Sequence, residues 1–413
     1  MSPKGASPSG NRRVVSADRV VTCDPAKSTT ENPLGVLLDV AIVIDDGKIS
    51  AIVPRARLGE SVTDENFGAH VITPGLVDAH THAAWTGSRH DEYAIKMCGG
   101  DYREIAAAGG GIASSHHAVA AAHEIDLTLE LAARVLRMAS LGVTTCEIKS
   151  GYGLEAEHEL KQLRAIDNVA KQPDSPRIVA TFLALHALPK NADRAKYISS
   201  AADLVDEVAA QGLAKFVDAY IDANAFSVAE ARGVIERARA KNLGVRLHVG
   251  QFADVGGAEL AAEVGARSAD HLEHVSDDAL GKLAAANVCA GLLPTACFTL
   301  KQAAPPIDAM RKARLQMVVA SDANPGTAPG ESLPLAMALA VRLYGLTPEE
   351  AILGATRHAA TSLDVDAGVL RVGLPADLVV WDLPHERAIV QPWGVSKTRL
   401  VLRDGSSIFK ANS

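Results

Sequence analysis

The residues with the clearest chemical potential are Asp78-Ala-His80-Thr-His82, which close the apolar run Val-Ile-Thr-Pro-Gly-Leu-Val. In an extended strand, side chains two residues apart project to the same face, so the spacing aims two imidazoles at one point. Neutral imidazole nitrogens ligate zinc or iron, and a His-x-His pair at a strand end supplies two of the ligands such a site needs. His248 ends Val-Arg-Leu-His, and Asp322 ends Met-Val-Val-Ala-Ser-Asp. A carboxylate after so apolar a run requires a partner, because burying an unpaired charge is costly. His80, His82, His248 and Asp322 therefore read together as one mononuclear centre with room for a water. One divalent or trivalent ion per chain, zinc or iron, is expected there. Such an ion lowers the pKa of its water to ~7 and polarises a carbonyl, which equips the site to hydrolyse an amide-like C–N bond. Asp322 is placed to take the water proton. His271, in Asp-His-Leu-Glu-His, either polarises the substrate and shuttles protons or supports its neighbours by hydrogen bonding.

Arg89, in Trp-Thr-Gly-Ser-Arg-His, follows the His-x-His pair closely enough to reach over the same site, and a guanidinium suits a substrate carboxylate. Ser321-Asp-Ala-Asn324-Pro-Gly326-Thr327 sets an amide, a flexible backbone and a hydroxyl just past Asp322. The plain alternatives are an exposed loop arginine and an ordinary turn.

These residues need a scaffold that brings distant segments to one rim. Between 71 and 364 short apolar runs alternate with longer stretches of helical period, the pattern of βα units around a parallel sheet. Eight runs read as strands: Val71–His82, Val143–Lys149, Ile178–His186, Phe216–Ile221, Gly244–Val249, Ser268–Leu272, Val288–Leu293 and Met317–Asp322. Eight such strands predict an α/β fold, a (β/α)8 TIM-type barrel, whose chemistry sits at the C-terminal strand ends. The residues at those ends are His80, His82, Lys149 with Tyr152, His186, Asp222, His248, His271 and Asp322. Residues 14–70 and 365–413 are rich in β-branched runs and turns, Asp-Asp-Gly-Lys around Asp46 among them, and predict one small β-sandwich-like domain built from both chain ends. Residues 1–13 read as a disordered lead, and the glycine-rich stretch from Ala106 as a mobile lid or a connector.

Composition narrows the function. The 413 residues are 48% hydrophobic and 22% charged, which excludes disorder as the main state. A formal charge of −8 offers no general attraction for nucleic acid or anionic lipid, and no apolar run approaches the roughly 20 residues that span a bilayer. Five cysteines without a Cys-x-x-Cys pair fit a reduced, cytoplasmic protein.

The motifs Pro-Gly-Leu-Val-Asp-Ala-His-Thr-His, His248 and Asp322, with β-rich ends, resemble the metal-dependent amidohydrolase superfamily. Glu147-Ile-Lys-Ser-Gly-Tyr-Gly-Leu, Ala269-Asp-His-Leu-Glu and Ser321-Asp-Ala-Asn-Pro-Gly-Thr are more particular, and resemble the imidazolonepropionase family within it. The resemblance implies metal ligation by His80, His82, His248 and Asp322, and substrate contacts from Arg89, Tyr152, His186, Gln251, Asn324, Gly326 and Thr327. It implies a small substrate bearing a carboxylate, ring opening of 4-imidazolone-5-propanoate to N-formimidoyl-L-glutamate, and a homodimer. Three departures stand out: Gln251 where many members carry glutamate, Tyr220-Ile-Asp222 for Phe-Cys-Glu, and His82-Ala-Ala-Trp85 for His-Leu-Val-Phe. An amide cannot act as a general base, so Asp322 or His271 must do so. The competing expectations are a relative that opens or deaminates another heterocycle, and a barrel without activity.

Overall fold

The computed structural model describes residues 12–59, 63–99 and 110–412. The chain opens with an antiparallel meander of β1 (Arg12–Val21), β2 (Val36–Asp45) and β3 (Lys48–Pro54). The β2–β3 hairpin turns at Asp46 and Gly47 with φ of 51° and 80°, the double positive φ that an Asp-Gly turn accommodates best. The short β4 (Glu65–Asn66) and then β5 (Val71–Pro74) pair parallel with β1.

The middle of the chain is the barrel. Its strands are β6 (Leu76–Asp78), β7 (Val143–Lys149), β8 (Arg177–Leu185), β9 (Phe216–Ile221), β10 (Gly244–Val249), β11 (Ser268–His271), β12 (Cys289–Leu292) and β13 (Met317–Val319), parallel and adjacent in chain order. The seam between β13 and β6 is joined just past the strand ends. Asp78 Oδ1 accepts the Ser321 N–H at 3.0 Å, His80 O accepts the Asp322 N–H at 3.0 Å, and Ala323 O accepts the His82 N–H at 3.0 Å. Helices cover the outside through apolar stripes, as in Glu124–Ser140, which buries Leu127, Leu131, Val135 and Met138. Ser227 and Glu230 form a capping box that starts the helix Val228–Ala240.

β14 (Leu378–Trp381), β15 (Thr398–Arg403) and β16 (Ser406–Lys410) then return to the first strands. They complete one sheet in the order β16-β15-β14-β5-β1-β2-β3, with β4 alongside β1. The structure thus has a single sheet at the chain ends where the sequence pointed to a sandwich. Val15, Ile42, Ile72, Leu378 and Leu400 from strands across it share one buried cluster.

The run expected as a single strand from Val71 to His82 is divided between the two units. β5 pairs with β1 and β14 in the end sheet, whereas β6 pairs with β7 in the barrel. Gly75 makes the crossing: a Cβ there would lie 2.0 Å from Thr144 Oγ1. The units therefore meet between Pro74 and Gly75, not at 70/71, because a run buried on both sides looks the same in either sheet. Arg12 and Arg13, expected in the lead, already pair with Asp45 and Ile44. Residues 1–11 of the lead, and 106–109 of the glycine-rich stretch, lie outside the described residues; Gly111 precedes the helix Ile112–Ala121. Among the described residues no helix is long and apolar enough to cross a membrane.

Candidate active site

The four residues expected to ligate a metal converge at the C-terminal mouth of the barrel. His248 lies within β10, but β6 ends at Asp78 and β13 at Val319, so His80, His82 and Asp322 occupy the connecting segments that the seam hydrogen bonds hold together. His248 Nε2 is 3.2 Å from His82 Nε2, and Asp322 Oδ1 is 3.5 Å from Nε2 of both His80 and His82. Among the described residues His80, His82 and His248 form a group whose ligand atoms lie within 4.8 Å of one another. His80 Nε2 is buried with no hydrogen-bond partner. Burial lowers the pKa of His80 and His82 well below the usual histidine value and lowers His248 as well, which keeps the rings in the neutral, ligating form. Burial raises the Asp322 carboxyl to about 7. An orphaned ring nitrogen, two opposed ring nitrogens and a desolvated carboxylate fit a cation bound by nitrogen and oxygen.

A layer of charge beneath this cluster aims the rings. His80 Nδ1 bonds Asp270 Oδ2 at 2.8 Å, and His248 Nδ1 lies 3.0 Å from Asp218 Oδ2. Lys149, fully buried, places Nζ 2.8 Å from both Glu147 Oε1 and Asp218 Oδ2. Burial works against the Lys149 charge, yet Asp218 and Glu147 outweigh it and raise its pKa. Arg246 donates to Ala79 O at 2.8 Å and Ser362 O at 3.0 Å, so it ties β10 to the segment that carries the histidine pair. Asp218, Asp270, Glu147 and Arg246 escaped the sequence reading. The available signal was a charge in the interior of an otherwise apolar strand.

The remaining candidates line the same mouth. His186 stacks on His82 with ring centroids 5.2 Å apart, and Tyr152 lies 5.4 Å from His186 and 6.1 Å from His82. His271 is 5.6 Å from His248, and its Nδ1 is 3.6 Å from Glu273 Oε2. Burial lowers the His271 pKa, but Glu273, Asp322 and Asp270 together outweigh it, and the net shift is upward. Arg89 packs against Gly326, where a Cβ would lie 2.2 Å from its Nη1, and its guanidinium bonds Glu92 Oε2 at 2.7 and 2.9 Å.

The Asn324 side chain braces its own loop. Its Oδ1 accepts the Gly326 N–H at 2.9 Å and the Thr327 N–H at 2.7 Å, and its Nδ2 donates to Asp322 O at 2.7 Å. Gln251 Oε1 accepts the Tyr220 hydroxyl at 2.8 Å. Two of the sequence departures also serve loops. Asp222 accepts the Ala223 N–H at 2.7 Å and the Phe252 N–H at 2.9 Å, and Trp85 lies under the Arg134 guanidinium, 3.4 Å from ring centroid to Cζ.

A parallel barrel with an accessory sheet from both ends, and a histidine-rich mouth closed by Asp322, define a class of hydrolase. The chain belongs to it: residues 71–407 match the family model described as Amidohydrolase family. Solved structures share the fold. An adenosine deaminase from Xanthomonas campestris with bound zinc aligns with a TM-score of 0.70 at 18% identity, covering 95% of this chain and 92% of that one. Guanine deaminase from E. coli aligns with a TM-score of 0.72 at 14% identity, covering 97% and 99%. Within the family, the imidazolonepropionase of Chromobacterium violaceum is 42% identical over 387 residues, covering 91% of this chain and 92% of the relative. That of Shewanella loihica is 38% identical over 401 residues, covering 94% and 97%. The chain's place in the amidohydrolase family is among the imidazolonepropionases.

Proposed function

We propose that this chain hydrolyses 4-imidazolone-5-propanoate to N-formimidoyl-L-glutamate, a ring opening in histidine degradation. The observation that carries the reading is the buried set of His80, His82, His248 and Asp322 at the barrel mouth, in a chain whose imidazolonepropionase relatives match over nearly its full length. His80, His82, His248 and Asp322 would hold one zinc or iron ion, whose chemistry is to polarise water and the ring carbonyl.

Asp322 accepts the proton of the attacking water at a carboxylate oxygen. Buried in the mouth beside His80 and His82, the carboxylate is placed to hold that proton. His271, held toward its protonated form by Glu273, delivers a proton to the ring nitrogen as the C–N bond breaks. Arg89 exchanges its internal partner Glu92 for the propionate of the substrate. Tyr152 and His186 flank the ring. Gln251, whose Oε1 is taken by Tyr220, offers its NH2 as a donor and abstracts no proton. Gly326 and Thr327 border the Arg89 end, in the loop that Asn324 keeps in shape. The five cysteines carry no disulfide, which supports placing the enzyme in the reducing cytoplasm.

Metal analysis of the purified protein, together with the loss of substrate absorbance on freshly generated imidazolone propionate, tests the reading. About one ion per chain with rapid turnover is the expected result. A metal-loaded protein that leaves this ring intact overturns the substrate assignment.

A further inference from the structure

Tyr152 stands in a Gly-Tyr-Gly turn between β7 and the helix Ala156–Ala170, and every amide of that turn is accounted for. Glu159 Oε2 accepts the Gly151 N–H at 2.9 Å, and Oε1 accepts the Leu154 N–H at 2.6 Å. Gln162 Oε1 accepts the N–H groups of Tyr152 at 3.0 Å and Gly153 at 2.6 Å. Two side chains one helical turn apart thus capture four consecutive backbone donors. Both acceptors are buried, Glu159 at 3% and Gln162 at 0% exposure.

The same side chains extend the hold to the rest of the site. Gln162 Nε2 donates to Ala84 O at 2.7 Å, in the segment directly after His82. The Gly151 carbonyl pairs with His186 Nδ1 at 2.8 Å, so the orientation of the His186 ring depends on where the turn is held. The glycines are required by this arrangement. Gly151 has φ 110°, and a Cβ on Gly153 would lie 2.2 Å from Glu159 N. Burial raises the Glu159 carboxyl to about 7, with the Ser150 hydroxyl and the turn amides drawing it down.

We propose that Glu159 and Gln162 are positioning residues that fix Tyr152 and His186 against the substrate ring, and so set substrate affinity while leaving the chemical step to the metal cluster. This rests on the ring-opening function proposed above. Neither residue neighbours the bond that breaks; their influence passes through the turn backbone.

The test is steady-state kinetics on imidazolone propionate. In Glu159→Gln an NH2 faces one of the turn amides, and KM rises roughly tenfold while kcat stays within about threefold. Gln162→Met removes three hydrogen bonds, and gives the same split with a larger rise in KM. Metal content matches wild type in both. In a Tyr152→Ala background, Glu159→Gln raises KM by less than it does in wild type, because only the part that passes through the Gly151 carbonyl to His186 remains. Hydrogen exchange of residues 151–154 speeds up in either variant, and this measurement needs no activity. An unchanged KM in folded, metal-loaded variants, additive effects with Tyr152→Ala, or unaltered exchange would overturn the proposal. If Glu159→Gln does not fold, Gln162→Met decides by the same readouts. Absence of turnover by the wild type counts against the ring-opening function instead, and the exchange measurement still judges the positioning role.

Discussion

His80 and His248 each present one nitrogen to the candidate metal site and the other to a carboxylate, Asp270 and Asp218. Such a partner fixes the tautomer and raises the basicity of the ring, so its loss is felt in metal affinity. Asp270→Asn should weaken zinc binding by about 10- to 100-fold in a chelator competition, with folding retained. An affinity equal to wild type would show that Asp270 only fills space beneath the ring. The contrast between ligands and partners also shows what the sequence could convey. His80 and His82 announce themselves by local spacing, and His248 and Asp322 by polar chemistry at the end of an apolar run. Asp270 and Asp218 meet their partners across strands, and no local spacing encodes which strand faces which. Asn324 shows a second limit: its place beside Asp322 was visible in the sequence, but that its Oδ1 accepts the Gly326 and Thr327 N–H groups was not.

At the scale of elements, seven of the eight barrel strands fall within a few residues of the runs read from the sequence. The exception is the first, which the structure divides at Gly75. Hydrophobic pattern reports burial, and residues 71–78 are buried in both units, so the division leaves no trace except the glycine. Gly75→Ala places a methyl within 2.0 Å of Thr144 Oγ1 and should cost about 2 kcal/mol in urea unfolding. Stability equal to wild type would mean that β7 moves aside at no cost. The helix Arg357–Leu363 offers a second check at the opposite end of β13. His358 Nδ1 donates to Met317 O at 3.0 Å, and burial, against the pull of that carbonyl, lowers the ring pKa to about 4. Between pH 6.5 and 4 the unfolded chain then binds a proton that the folded chain refuses, so stability falls as the pH falls through that window. His358→Gln keeps a donor for the carbonyl and removes the titration. Its stability deficit relative to wild type should shrink by about 2 kcal/mol between pH 7.5 and 4.5, and a constant deficit would contradict the buried neutral ring.

For the whole molecule, the central fact is that β5 is an interior strand of the end sheet and runs through Gly75 into β6, His80 and His82. The sheet built from the two chain ends therefore anchors the segment that supplies two of the candidate ligands. Arg177, at the start of β8, fastens the units from the opposite side, with Nη1 2.6 Å from Asp377 Oδ2 and Nη2 2.9 Å from Asp404 Oδ1. Asp377 is buried, so replacing Arg177 strands its carboxylate. Arg177→Met should cost about 3 kcal/mol, with kcat and KM at 25 °C unchanged because the contact lies at the end of the barrel opposite the mouth. Unfolding should remain one transition in the variant, since the end sheet cannot come apart without pulling on the strand that leads to His80. Zinc bound at the mouth should then raise the midpoint of the entire transition, in both wild type and variant. An early step in Arg177→Met that zinc does not shift would show the sheet opening on its own, and would break the mechanical link between the chain ends and the metal site.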